Sequence, residues 1–333
     1  MLFHPAIIAL LATSAINSML LVGAGLFAAR LLRQWDLASG AERQLRLERQ
    51  TYLVSTFLVF VLAAELMSLL LFVYNAERMS VLFTGAMCAV GTLNVNAYGF
   101  PALLLKLLAF FLAAAWLALN WVDNRGRDYP LTRKKYALLL AIVPVFLAEG
   151  VVQGLYFANL DPDVITSCCG SLFSERGEGV SADLAGLEPA PAMLMFYAAL
   201  AVTLAAGFRV WRTGRGGMAY GVASLAFFAV AIAAVVSFLS LHVYEHPHHH
   251  CPFCLLKGEF HYIGYWLYGL LFAATAYGLA VGVIHPFAST ASLATVIPRA
   301  RRRFALASLL GYAAFGLLAT GLVMGSGLVL IEN

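Results

Sequence analysis

Eight stretches of about 20 apolar residues govern what this chain can become, at roughly 6–29, 52–74, 100–121, 137–158, 192–211, 218–242, 262–284 and 304–328. Each is long enough to cross a hydrocarbon core of about 30 Å. None shows the alternation of a barrel strand. Inside lipid every backbone polar group must be satisfied within its own segment, so each stretch reads as a helix. Composition removes the alternatives: 62% of the 333 residues are hydrophobic and 11% are charged, where a soluble domain is about 25% charged. No water-soluble fold could hide that much apolar surface, which excludes a soluble enzyme, a disordered chain and a fibrous protein. The expected fold class is all-α: a polytopic membrane protein, a bundle of about eight transmembrane helices in one integral membrane domain over residues 1–333. The first run has no basic n-region, is too long for a signal h-region, and is followed by Arg30 and Arg33. It is therefore expected to stay as a span.

Lysine and arginine orient the chain. The connections after the first, third, fifth and seventh runs hold 17 of the 21 basic residues, among them Arg43, Arg46, Arg49, Lys134, Lys135, Arg212, Arg215 and Arg301 to Arg303. The other side has only Arg78, Arg176 and Lys257, with Lys106 inside a run. By the positive-inside rule the basic loops face the cytoplasm and both termini face outward. The outer side is acidic, and the basic side suits anionic lipid headgroups. These features place the protein in a lipid bilayer, expected to be a bacterial cytoplasmic membrane, with no nucleic-acid partner. Because the outward-to-inward direction repeats at the first and fifth runs, a parallel four-plus-four repeat is one reading. The pairs Gly150/Gly154, Gly278/Gly282 and Gly321/Gly325 have the spacing of close helix packing.

The outer loops 75–99, 159–190 and 243–261 carry the chemistry. Residues 80–93 are an apolar run too short to span, which reads as re-entrant or interfacial. Residues 36–50 read as a charged juxtamembrane turn. All five cysteines, Cys88, Cys168, Cys169, Cys251 and Cys254, fall on the outer side. That compartment is oxidising in bacteria, so plain disulfides are one reading, with one thiol left over. Cys251-Pro-Phe-Cys254 is a CxxC just before the seventh run. At a helix start the dipole and open N–H groups would favour thiolate. Cys168 and Cys169 are adjacent, a poor geometry for bonding each other, so they suit different partners or one metal.

A CPFC at the outer end of a transmembrane helix, together with an outer-loop cysteine pair, resembles the membrane thiol oxidoreductases of the DsbB and vitamin K epoxide reductase type. The resemblance implies that Cys251 and Cys254 are the quinone-proximal pair. It implies that Cys168 and Cys169 exchange with a soluble thioredoxin-like partner.

Six of the eight histidines lie in one outer stretch: His242, His246, His248, His249, His250 and His261. Imidazole with thiolate is a ligand set for zinc or copper. Cys251 and Cys254 with two of His246, His248 and His250 would make four ligands, and Cys88 or Cys168/Cys169 could complete a site across loops; His249 and His261 belong to the same candidate set. A metallochaperone would then be a natural outer-face partner. A haem b held by His242 and His261 is disfavoured, because no inner histidine pair exists to carry electrons across. Within the spans, Glu65, Lys106 and Glu149 sit at about 9–15 Å below the outer ends of their helices, by the 1.5 Å rise per residue. Such residues pair, or line a polar path or quinone site. Lys106 could take either carboxylate, and Asn17 and Gln153 could extend the group.

No P-loop, GxGxxG or HExxH motif is present. Three readings follow. The first is a membrane thiol–disulfide oxidoreductase exchanging electrons with a quinone and a thioredoxin-like partner, its catalytic residues Cys251, Cys254, Cys168, Cys169 and Cys88. The second is a copper-, zinc- or mercury-handling membrane protein. The third is a non-catalytic subunit of a larger complex.

Overall fold

A computed structural model describes residues 5–36, 41–126, 128–161, 163–166, 187–328 and 330. Among them the chain is helical with no strand. Eight helices are long and apolar enough to cross a membrane. They are α1 (Pro5–Gln34), α2 (Glu42–Met79), α4 (Gly99–Asp123), α5 (Thr132–Ala158), α6 (Pro189–Thr213), a sixth span Gly217–Tyr244, α9 (Ile263–Ile284) and α10 (Val296–Gly325). The sixth span is composite: α7 (Gly217–Ala234), a π-helical turn Val235–Leu239 and α8 (Ser240–Tyr244). The short α3 (Ala89–Leu93) lies between α2 and α4. The protein is an all-α, multi-pass membrane protein, and the bilayer is its surrounding medium.

Several helices outrun their apolar stretches. The fourth begins at Thr132 rather than 137 and the eighth at Val296 rather than 304. The charged residues 42–50 are the opening turns of α2, where Glu42 and Arg46 pair one turn apart at 2.8 Å. Hydropathy reports the part of a helix that lipid surrounds, and these helices continue beyond it. Residues 80–93 do not span: after a 3-10 turn at Ser80–Leu82 the chain forms only α3, all of it buried. The α6 start carries proline in its first turn, and its end is closed by Gly214 in the left-handed conformation (φ +71°), the usual asymmetry of helix ends.

Contacts divide the chain into two compact units. One comprises Met1–Asn75, Val95–Asp161 and Phe287–Val296; the other comprises Ala76–Asn94, Pro162–Pro286 and Ile297–Asn333. The first unit holds the spans α1, α2, α4 and α5, with α5 packed against α1 and α4. Trp116, Tyr136, Leu139 and Phe146 lie in its core. The second unit holds the other four spans, with α7 packed against α6 and α9 over a core of Phe196, Phe227, Phe238, Tyr312 and Phe315. Of the three glycine pairs, Gly278/Gly282 makes a close helix contact: a methyl group on Gly221 of α7 would stand 2.8 Å from Gly282 Cα of α9. A methyl on Gly150 of α5 would stand 2.9 Å from Ser14 Oγ of α1, whereas one on Gly154, Gly321 or Gly325 would meet nothing within 4 Å.

Candidate functional site

The second unit gathers three sulfurs. Cys88, Cys251 and Cys254 place their Sγ atoms within 4.8 Å of one another, and Cys88 Sγ lies 3.5 Å from Cys251 Sγ. Relative exposure is 0%, 0% and 4% respectively. This is the one group of three or more candidate metal ligands among the described residues.

Each sulfur is placed by identifiable backbone anchors. Cys251 and Cys254 sit in a loop of short turns, with Cys254 opening a 3-10 turn, Cys254–Leu256. The Tyr244 hydroxyl donates to the Cys251 carbonyl and the Tyr268 hydroxyl to the Pro252 carbonyl, both at 2.6 Å. His250, immediately before Cys251, is buried, and its Nδ1 lies 2.9 Å from the Val236 carbonyl in the π-helical turn. A carbonyl only accepts, so Nδ1 carries the proton. Shifted hydrogen bonding in a π turn leaves carbonyls for such side chains, and π turns concentrate at functional sites. Cys88 stands just before α3, where the Ala89 N–H donates to Glu77 Oε2 at 2.7 Å. Gly85 enters this loop at φ +87°, and an added methyl would strike the Thr166 carbonyl.

Lys257 joins the two cysteine loops. Its ammonium donates to the Met87 carbonyl, next to Cys88, and lies 3.8 Å from Glu77 Oε1. Burial pulls the Lys257 pKa down, but Glu77, the Cys254 and Cys88 sulfurs and Glu259 outweigh it, and the net shift is upward. A firmly charged ammonium beside two sulfurs favours their thiolate forms.

The helix-start reading of the CxxC is corrected. The transmembrane helix begins at Ile263, after turns at Cys254–Leu256 and Gly258–Phe260 and two residues, His261 and Tyr262, at φ 55°. The dipole of α9 therefore does not open at Cys254, and Lys257 supplies the positive charge instead. The histidines are likewise not brought to the sulfurs: no His joins a group of three ligands among the described residues. His242 turns its Nδ1 to the Phe238 carbonyl at 2.8 Å. His246, His248 and His261 are exposed, and His249 lies against the Tyr244 ring, with centroids 4.3 Å apart. Cys168 and Cys169 lie outside the described residues.

The charges within the spans resolve into a defined pairing in the first unit. Lys106 Nζ lies 2.6 Å from Glu149 Oε1 and donates to Ser68 Oγ at 2.7 Å. Glu65 instead accepts from Asn17 Nδ2 at 2.8 Å. A second buried pair was not legible in the sequence: Lys135 Nζ lies 2.7 Å from Asp123 Oδ2, with side chains 1% and 0% exposed. Both residues fall outside the apolar runs and read there as loop charges. For Glu77 and Lys257 the signal was only that they are oppositely charged residues in the same loops as cysteines. The π turn has no signature at all, since Val235–Leu239 contains neither glycine nor proline.

No protein-family model matches the chain, and neither a curated protein nor a solved structure matches it.

Proposed function

We propose that the protein binds a thiophilic metal cation, of the copper(I) or zinc class, through Cys88, Cys251 and Cys254. The observation that carries this reading is the mutual placement of three buried sulfurs. With a metal–sulfur bond of about 2.3 Å, three thiolates around one ion stand about 3.8–4.0 Å apart, in tetrahedral or trigonal geometry. The observed separations, 3.5 Å for one pair and no more than 4.8 Å for the set, bracket that value. Soft thiolate ligands select copper(I) and zinc over magnesium or calcium. Burial points the same way, since a bulky disulfide substrate could not reach sulfurs that are 0–4% exposed, whereas a desolvated ion could. Binding would release the thiol protons, and Lys257 would offset part of the remaining negative charge. On the positive-inside orientation the site belongs to the outer face, consistent with cation capture from the periplasmic side of a bacterial cytoplasmic membrane.

A thiol–disulfide relay is the second reading, and the 3.5 Å Cys88–Cys251 approach favours it. Forming that bond removes two protons and two electrons from the pair, which a quinone would accept, and leaves the Cys254 thiol beside the new disulfide for exchange within the cluster. One sample separates the two: metal content and thiol number measured together on protein purified under reducing conditions. Metal binding gives one equivalent of copper or zinc per chain, lost in Cys88→Ser, Cys251→Ser and Cys254→Ser. Protein that carries no metal, takes up neither ion when supplied, and cycles two thiols with a quinone overturns the metal reading.

A further inference from the structure

The first unit carries a second polar centre with an unbalanced charge. Asn17 of α1, Glu65 and Ser68 of α2, Lys106 of α4, and Glu149 and Gln153 of α5 are all 7% exposed or less. They come from all four spans of that unit. Lys106 engages Glu149 at 2.6 Å and Ser68 at 2.7 Å. Glu65 lies within electrostatic reach of both Lys106 and Glu149, yet among the described residues its one hydrogen-bond donor is the Asn17 amide, at 2.8 Å. Two carboxyl groups thus share one ammonium. The other buried lysine, Lys135, is committed to Asp123 at 2.7 Å.

An uncompensated charge in the membrane interior is expensive, by several kcal/mol even after relaxation. A second observation points to what offsets it. Gln153, 0% exposed, stands one helical turn beyond Glu149. Its amide nitrogen donates to the Leu10 carbonyl at 3.5 Å, while its Oε1 has no hydrogen-bond partner. Leu10 is two turns before Asn17 on the same face of α1. A buried carboxyl held by one amide, and a buried amide oxygen with no donor one turn beyond Glu149 in the same unit, are features that a small cation would satisfy.

We infer that Glu65, held by Asn17 beside the Lys106–Glu149 pair, binds one exchangeable monovalent cation, a proton or a sodium-sized ion, within the first unit. The site is independent of the cysteine centre: it lies in a different unit and uses none of the same residues. Its natural use is to let this four-helix unit load and release one positive charge.

The test uses the full-length protein in detergent or nanodiscs. Infrared spectra are recorded for the C=O stretch of a protonated carboxylic acid, and melting temperature is followed against sodium with choline at constant ionic strength. If the occupant is a proton, an acid carbonyl band is present, is lost in Glu65→Gln and shifts in Glu65→Asp, and melting ignores sodium. If it is a metal ion, the band is absent, and melting rises saturably with sodium but not choline; Glu65→Gln abolishes that rise. Wild-type protein with neither a band nor a sodium response overturns the inference, because both carboxylates would then be served by Lys106 alone. That outcome needs no variant, so a Glu65→Gln chain that fails to fold does not rescue the proposal. In either case the metal content of the cysteine centre is expected to stay unchanged.

Discussion

Replacing Lys135 by methionine tests how the end of α4 and the start of α5 are held together. Lys135 Nζ faces Asp123 Oδ2 at 2.7 Å, Asn120 Oδ1 at 2.9 Å and Ser55 Oγ at 3.4 Å. Asp123 in turn accepts the Leu131 N–H at 2.7 Å, which fixes the connection into α5. Methionine keeps the volume and removes the charge, leaving Asp123 as a buried carboxylate without its cation. Breaking a buried pair from one side costs about 3–5 kcal/mol. Adding Asp123→Asn removes the second charge while keeping an acceptor oxygen for the Leu131 N–H. The double variant should therefore recover most of the loss, ending within about 1–2 kcal/mol of wild type, because a buried pair and its neutral replacement differ little. At about 2–4 °C per kcal/mol for a unit of this size, Lys135→Met should melt about 10 °C lower and the double variant only a few degrees lower. Thermal unfolding in detergent, followed by circular dichroism, measures both. A Lys135→Met protein as stable as wild type would refute the pairing argument. So would a double variant that loses as much as the two single changes added together.

Four further outcomes follow from the geometry. Lys257→Gln removes the ammonium that links the Met87 carbonyl to the Cys254 loop, and metal affinity should fall about 10–100-fold, as for other residues supporting a ligand set, read by competition with a chelator. Because the Lys257 pKa is shifted up from 10.5, its stabilising contribution is complete below that ordinary value and is lost only as pH climbs through the raised one; the wild-type loop should stay closed across the neutral range, and a loss of its stability between pH 6 and 8 would contradict this. Gly85→Ala puts a methyl at φ +87° against the Thr166 carbonyl and should lower metal occupancy together with stability, whereas Gly154→Ala meets nothing within 4 Å and should leave both unchanged. With Cys168 and Cys169 replaced by serine, Met87→Cys (70% exposed) should react with an impermeant maleimide on intact cells, and Leu45→Cys (60% exposed) only after permeabilisation; the reverse pattern would invert the topology.

The spans were legible in the sequence because crossing a hydrocarbon core imposes a length and an apolarity that few other structures share. Their ends were less so. Val296 to Arg303 and Thr132 to Tyr136 form helix outside the apolar stretch, where hydropathy carries no signal and Lys135 reads as one more basic loop residue. The buried Lys106–Glu149 pair was foreseeable as one of two pairings from depth alone. Choosing Glu149 required the positions of Ser68 and Asn17, which are packing facts.

The cysteine centre shows the same limit more sharply. CPFC announced itself, and so did the run of histidines beside it, since ligand-type residues crowded into one loop suggest one site. Proximity in sequence fixes which atoms are available but not where their lone pairs point. His250 and His242 spend their Nδ1 protons on carbonyls of Val236 and Phe238, and positive-φ backbone at Glu245, His261 and Tyr262 turns the loop in ways that no glycine marks. The third sulfur instead arrives from 163 residues away, on a segment whose apolar character reads as a membrane-surface element. The same apolarity buries Cys88 to Leu93 within the second unit, so it is a short apolar segment that brings the third sulfur to the other two. Cys88 was legible as a candidate to complete a site across loops, but the anchor that places it was not. That anchor is Glu77, which accepts the Ala89 N–H and so fixes the backbone next to Cys88.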